Sequence, residues 1–407
     1  MGEARCRLWA ISELYYPEQT STGYFLTRIA EGLAADFDVQ VICGQPTYSE
    51  RGIKAPARET RNGAHIRRMS GTHFDKDRLA GRALNAITVT TAMFVHALVN
   101  FRRGDRVLVV TNPPIVPAMI GLVARWRGCP ATLLVHDLYP EVLGATGMLR
   151  PTRLSYRILA RFFRWSFRLF GDVVVLGRDM AEVVRAKIDD AHRRIHLIPN
   201  WGDVDEIRPI AFADNAFRQE HGLAEKFVVQ FSGNIGRTHD VELVLDTARL
   251  LRDRDDIVFL FVGYGGKAGL LADADGNVRF LPRQPREKLA QMLAASNVTI
   301  ISFIDGMYGI SVPSRMYNVM AAGVPIIAAA DERSELARTV ADLGAGWVLH
   351  DRTPEGLAAL IRSLASVEGR ANLAARGAAG RRGVEQRYAL PHILQQYRQL
   401  LGQPQEL

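Results

Sequence analysis

Apolar runs of strand length alternate with helical stretches from the start of the chain: a strand over 7–11, a helix over 23–35 and a strand over 39–43. Strand, helix, strand in that order is the grammar of a parallel sheet. Further buried-strand candidates follow at 107–110, 131–135 and 172–176, the last leading through 195–198 into the turn Pro199, Asn200, Trp201, Gly202. A second alternation then begins, with strand 227–231, helix 241–251, strands 257–262 and 278–281, helix 286–294, strand 298–302, a helix near 313–322 and a strand over 324–328. The pattern predicts two open α/β sheets in tandem, joined near 200–210, each with a crevice at the carboxyl ends of its strands. Residues 371–383 are rich in Ala and Gly, yet their regular Leu, Ala and Arg predict a surface helix rather than disorder.

Composition agrees with two cores rather than one: 407 residues, 48% hydrophobic and 23% charged. The three cysteines, Cys6, Cys43 and Cys129, have neither CxxC spacing nor paired His ligands, so neither a disulfide framework nor a zinc site is expected. Residues 1–10 do not have the layout of a secretion signal, and the apolar patch over 86–99 is shorter than a spanning helix and contains Thr and His. The net charge of +8 is lopsided: residues 1–200 carry 28 Lys and Arg against 18 Asp and Glu, and residues 201–407 carry 23 against 25. An anionic partner is therefore expected on the first half, either membrane phosphates or a lipid diphosphate; no nucleic-acid motif accompanies the charge.

Three loops carry candidate chemistry. The first strand ends in Ser12, Glu13, Leu14, Tyr15, Tyr16, Pro17, and a polar loop reaches Gly23 where a helix begins, which is either a plain turn or an anion site at a helix start. The first strand of the second half ends in Ser232, Gly233, Asn234, Ile235, Gly236, Arg237, with His239 close by. Farther on, Pro313, Ser314 and Arg315 open a helix that Gly323 closes, a combination expected to bind an anion. GxGxxG is absent, which counts against a dinucleotide oxidoreductase.

These residues resemble the retaining glycosyltransferases of family 4, of the GT-B fold, and within them the bacterial O-antigen and capsule branch that includes L-fucosamine transferases. The resemblance rests on Tyr15, Tyr16, Pro17, Glu18 with Gly23, on Asn112, Pro113, Pro114, on the run from His136 to Glu141, and on Ile198, Pro199, Asn200, Trp201 with Asp205. In the second half it rests on Gly233, Asn234, Gly236, on Val262 to Gly265, and on Pro313, Ser314, Arg315 with Met320 to Pro325. It implies two Rossmann-like domains facing across a central cleft: an acceptor and membrane-side domain over 1–200, a nucleotide-sugar domain over 201–385, and a C-terminal helix over 386–407 packing back on the first.

Carried over by position, the resemblance implies His136, Arg237 and Arg315 as catalytic residues, with the arginines neutralising the donor diphosphate and His136 facing the donor sugar. Donor binding falls to Gly23, Gly233, Asn234, Gly236, Arg279, Leu281, Tyr308, Gly309, Ile310, Ser311, Ser314 and Asn318, and acceptor-side contacts to Glu13, Tyr16, Asp137 and Glu141. Many family members carry two glutamates eight positions apart where this chain has Ile310 and Asn318. Asn318 retains an amide for ribose hydroxyls, whereas Ile310 implies sugar contacts from the backbone of residues 308–311 or a deoxy sugar. The Asp203, Asp205 pair recurs by chance at Asp75, Asp77 and at Asp273, Asp275, so no essential metal and no cofactor are expected.

Residues 150–170, opening on Arg150 and closing on Phe170, set Arg153, Arg157, Arg161, Arg164 and Arg168 at helical spacing among Phe162, Phe163, Trp165 and Phe167. This is either an interfacial membrane helix or a core helix with a solvated Arg face. Residues 78–101, from Arg78 to Phe101, are a second docking candidate. The implied partners are a nucleotide sugar, UDP- before GDP-linked, a polyprenyl-diphosphate-linked glycan acceptor and an anionic membrane surface, with the protein peripheral on the cytoplasmic face of the plasma membrane. A nucleotide-sugar epimerase of the same fold and a non-catalytic scaffold remain as alternatives.

Overall fold

The computed structural model describes residues 5–46, 53–72, 74, 79–188, 193–271 and 276–403. Asp75, Asp77, Arg78, Asp273 and Asp275 lie outside them. The chain forms two compact units, the first from Met1–Gly144, Leu149–Pro199 and Ile393–Leu407, the second from Ala145–Met148 and Asn200–His392.

The first unit runs β1 (Arg7–Ile11), α1 (Ser21–Leu33), β2 (Asp38–Gly44), β3 (Arg58–Arg61), β4 (Ala64–Met69), α2 (Leu79–Asn100), β5 (Arg106–Val110) and α3 (Val116–Arg127). It continues with β6 (Ala131–Leu134), α4 (Glu141–Ala145), α5 (Leu154–Phe167), β7 (Asp172–Val175), α6 (Arg178–Ile188) and β8 (Arg194–Leu197). The strands form one sheet of order β3-β4-β2-β1-β5-β6-β7-β8, parallel throughout except for the antiparallel β3–β4 pair. Strands covered by helices on both faces must be apolar at successive positions, as Val107–Val110 and Val173–Val175 are, all fully buried. The direction of winding reverses between β1 and β5, which makes their carboxyl ends the switch point of the sheet.

The second unit runs α7 (Ala216–Glu220), β9 (Phe227–Asn234), α8 (Val241–Leu250), β10 (Ile257–Tyr264), β11 (Val278–Pro282), α9 (Leu289–Ala294) and β12 (Val298–Ser302). It continues with α10 (Arg315–Ala321), β13 (Ile326–Ala329), α11 (Glu335–Leu343), β14 (Gly346–Val348), α12 (Pro354–Ala365) and α13 (Val367–Arg387). Its sheet, β11-β10-β9-β12-β13-β14, is all parallel and switches direction between β9 and β12. The core is built on Phe227, Val229, Phe231, Phe259, Phe261 and Ile300, packed under α8 and α12.

The last helix, α14 (Leu390–Gly402), belongs from Ile393 onward to the first unit. Arg398 pairs with Asp36 at 2.7 Å and donates to the Gly32 carbonyl, while Leu394 lies where a Cβ on Gly32 would stand 2.4 Å from its Cδ1.

Two expectations need correction. The Ala- and Gly-rich helix is not merely a surface element: Gly377, Gly380 and Gly383 form a buried stripe on α13, and a Cβ on Gly377 would stand 1.9 Å from the Gly323 carbonyl oxygen. The small residues are there for close packing. The helix over 286–294 is divided, a 3-10 turn at Arg286–Lys288 preceding α9.

Candidate functional site

In the second unit the parallel register sets Gly233 beside Gly263 and Asn234 beside Tyr264 at the ends of β9 and β10. A Cβ on Gly263 would stand 1.9 Å from the Gly233 carbonyl oxygen, so only glycine allows these strand ends to run this close. Gly233 itself has φ +115, and a Cβ there would approach Arg315 Nη1 to 3.2 Å. The bare strand end therefore makes room for the arginine that α10 delivers from across the switch point.

Arg315 is the focus of this cluster. Its Nη1 donates to the Ser232 carbonyl at 2.7 Å and its guanidinium lies 4.7 Å over the Phe231 ring. The residue as a whole keeps some accessible surface, but Nε and Nη2 are buried and have no hydrogen-bond partner. Burial pulls the guanidinium below its ordinary pKa. A desolvated cation with two unused donors is costly by itself, and a bound anion supplies what it lacks.

His239 is buried between Phe231 and Phe303, with Nδ1 3.1 Å from the Thr238 hydroxyl. Burial foremost, then the nearby Arg315 and Lys267 charges, hold its pKa well below the usual histidine range, so it is neutral. Asn234 and Arg237 are exposed at the mouth of the loop, and a Cβ on Gly236 would stand 2.8 Å from Asn234 Nδ2.

The loop before α10 places Gly309 in the left-handed region at φ +67, buries Ile310 and leaves Ser311 half-buried. The Tyr308 ring lies under the Arg333 guanidinium at 4.6 Å. Several residues named from sequence are engaged in ways it did not anticipate. Ser314 precedes α10 without a side-chain capping bond, so α10 starts on backbone geometry and not on a serine cap. Asn318 Oδ1 accepts the Asp203 amide at 3.1 Å and so pins the segment entering the second unit. Arg279 donates to the carbonyls of His221 and Gly222, tying β11 to the turn after α7, whereas Leu281 stands half-buried near the carboxyl end of β11. Asp203 is taken by Arg286 at 2.6 Å and by the Trp201 indole at 3.2 Å. Among the described residues no group of three or more His, Cys, Asp or Glu side chains is placed to hold a metal ion.

The first unit has its own cluster at its switch point. Gly23 sits in the first turn of α1, its amide donating to the Thr20 hydroxyl at 3.4 Å, and a Cβ there would stand 2.9 Å from the Glu18 carbonyl oxygen. Beyond β6, the backbone amides of His136 and Asp137 both reach Thr111 Oγ1, at 3.1 and 3.5 Å, so one hydroxyl fixes the chain direction at the strand end. His136 Nδ1 lies 3.5 Å from the Thr22 hydroxyl on α1, and its buried Nε2 has no partner. Burial lowers its pKa to about 4, so the ring is neutral and the unpartnered nitrogen can donate to or accept from a ligand hydroxyl.

Glu13 is buried after β1, its amide bonded to the Asn112 carbonyl and its own carbonyl to the Gly44 amide. Tyr16 is 40% exposed with the Arg61 guanidinium 4.0 Å over its ring, and Asp137 is half-buried. Glu141, expected on the acceptor side, is instead paired with Lys187 of α6 at 2.7 Å. Lys187 also donates to the Tyr139 carbonyl at 2.5 Å and lies 5.4 Å from the centre of the Phe167 ring. Sequence reasoning missed this lysine, because a single Lys on an amphipathic helix gives no signal of the loop it will reach.

Residues 22–201 match the family described as glycosyl transferase 4-like domain, and residues 213–380 that described as glycosyl transferases group 1. The chain is 30% identical over 389 residues to "Probable glycosyltransferase WbjE" of Pseudomonas aeruginosa, covering 94% of each chain. It is 26% identical to "Putative colanic acid biosynthesis glycosyl transferase WcaI" of Escherichia coli (strain K12), over 80% of this chain and 83% of that one. Among solved structures, Anabaena HepE in complex with UDP-glucose superposes with a TM-score of 0.68 at 14% identity, covering 97% of this chain and 99% of its own.

Proposed function

Since the chain belongs to the family 4 glycosyltransferases and has their GT-B fold of two Rossmann-like sheets, we propose that it moves a sugar from a nucleoside diphosphate to a lipid-linked glycan, retaining the anomeric configuration. The donor is a UDP-sugar before a GDP-sugar, and the sugar is a deoxy or N-acetylamino-deoxy one. The acceptor is a polyprenyl-diphosphate-linked glycan of bacterial surface polysaccharide synthesis, met at the cytoplasmic membrane face. The relative named for colanic acid biosynthesis and the UDP-glucose complex of HepE support this reading.

The observation that carries it is the buried Arg315 guanidinium with Nε and Nη2 unpartnered beside the bare Gly233 strand end. Glycosyl transfer separates a cationic sugar from an anionic diphosphate, so the protein's task is to hold the leaving group's charge as it develops. Arg315 supplies two unused donors for that, and exposed Arg237 adds long-range charge at the loop mouth. His136, neutral and with a spare ring nitrogen, orients a sugar hydroxyl in the first unit. The acceptor hydroxyl loses its proton to a donor phosphate oxygen.

Thermal-shift measurement with UDP-, GDP-, ADP- and dTDP-sugars tests the donor, since a ligand selective for the folded state raises its midpoint. A selective rise with a UDP-sugar, lost in Arg315→Ala, is the expected result. No rise with any of the four, or a rise unchanged in the variant, defeats the assignment. Incubating donor without acceptor separates transfer from epimerisation, because an epimerase changes the free donor and a transferase at most hydrolyses it slowly.

A further inference from the structure

The sheet of the first unit runs from β4 to β5, β6 and β7 in one direction, and right-handed crossovers in one direction place their helices on one face. These helices are α2, α3 and α5, and they pack side by side in that order. Arg127 of α3 donates to the Leu98 carbonyl of α2, and Gly121 of α3 faces Leu169 just beyond α5. Their outward sides are unusually apolar. Leu84, Ile87, Val95 and Val99 protrude from α2, Leu122 and Trp126 from α3, and Leu154, Ile158 and Trp165 from α5, with Val99 72% and Trp126 69% exposed.

Helix α2 is long and apolar enough to cross a bilayer, with mean hydropathy 1.4 over Ala83–Asn100, but only 28% of that stretch is buried. It does not have the form of a span. Val89, Met93 and Ala97 are buried inside the unit, and Asn85 bonds both the amide and the carbonyl of Phe74. One side of the helix is thus committed to the protein, and the other is left uncovered.

Charge identifies the occupant. None of the three helices contains an Asp or Glu, while Arg125 on α3 and Arg153, Arg157, Arg161 and Arg164 on or at the start of α5 are exposed. A second copy of the chain meeting this face by a two-fold axis would bring arginine to arginine with no carboxylate between them. A bilayer with anionic headgroups satisfies both features at once, the apolar side chains entering the acyl boundary and the arginines meeting phosphates. We propose that α2, α3 and α5 form a single docking face for an anionic lipid surface, with the exposed Trp126 of the middle helix α3 as its anchor. This rests on the membrane-side reading above and extends it from separate segments to one surface.

The test is co-sedimentation of the full chain with vesicles of phosphatidylcholine, with and without about one third phosphatidylglycerol. Expected is binding to the anionic vesicles that weakens with salt, and a loss of about tenfold in partition for each of Val99→Glu, Trp126→Glu and Ile158→Glu. Val367→Glu, on a side chain of the second unit that is 84% exposed, serves as the control and leaves partition unchanged. A wild-type protein that stays in the supernatant overturns the proposal, as does equal loss from the control. So does a dimer, seen by light scattering, that the same three substitutions dissolve without any vesicle binding. Thermal shift with UDP-sugars on the same samples keeps the two readings apart. A donor response without sedimentation sinks the docking face alone, and sedimentation without a donor response upholds the face while sinking the transferase donor.

Discussion

Arg315 gives one hydrogen bond, to the Ser232 carbonyl at 2.7 Å, and keeps two buried donors idle. An arginine held for stability would spend both its Nη groups, as Arg218 does on the carbonyls of Ala295, Leu223 and Lys226, leaving only Nε unused. Substituting Arg315 with Met is therefore expected to raise the melting temperature of the unliganded protein, because a buried cation without a counter-ion is removed. The same change should reduce turnover by about 100-fold or more and abolish the thermal response to donor. Calorimetry with and without a UDP-sugar checks both halves; a lowered melting temperature with donor response intact would make Arg315 a structural clamp.

Lys187 joins the loop at Tyr139 and Glu141 to α6, so Lys187→Met should release that loop and leave the Glu141 carboxylate without its partner. A stability loss of about 1–3 kcal/mol is expected from the broken bonds. Transfer to acceptor should fall while the donor thermal shift persists, since none of the residues around Arg315 is touched. Denaturant titration and product formation report the two effects separately.

Histidine protonation gives a pH dependence of definite sign. The His136 pKa is lowered by burial from 6.5 to about 4, so in acid the unfolded chain takes up a proton that the folded chain refuses. The contribution is fully present above pH 6.5 and is lost as pH falls from 6.5 toward about 4, up to about 3 kcal/mol in all. Neutral His239 adds to the same slope. Urea titrations across this window should show a shallower decline in His136→Gln, and an unchanged decline would place the ring in a wetter environment than the structure gives it.

The stripe on α13 makes a steric prediction. Gly377→Ala forces a methyl against the Gly323 carbonyl and should cost about 2–4 kcal/mol, against the usual helix preference for Ala. Gly402→Ala at the end of α14 has nothing within 4 Å and should be neutral or slightly stabilising. Thermal melts of the two variants provide the comparison; equal behaviour would mean α13 does not pack as closely as described.

Much of the sheet architecture was legible because parallel strands buried on both faces write uninterrupted apolar runs, as 107–110 does in full. The antiparallel β3–β4 edge was not, since Arg58, Glu59 and Arg61 fill a strand with charge and hide its pattern. β14 is only three residues long and offers no period to read. At the candidate site, glycine and arginine spacing pointed to Gly233 and Arg315, because a close strand approach admits only glycine. The engagements of Arg279, Asn318 and Glu141 were hidden because their partners, His221, Asp203 and Lys187, are distant in sequence and unmarked by any local pattern.

The membership of α14 in the first unit bears on how the protein is made. At roughly 5–20 residues per second, the ribosome needs some tens of seconds to pass through Asn200–His392 before the helix that packs on Gly32 and Asp36 emerges. During synthesis the earlier-made half waits with part of its surface bare, and the second half can finish first. Slowing or pausing translation across the codons of α14 should thus prolong the interval in which chaperones and proteases meet an unfinished amino-terminal lobe.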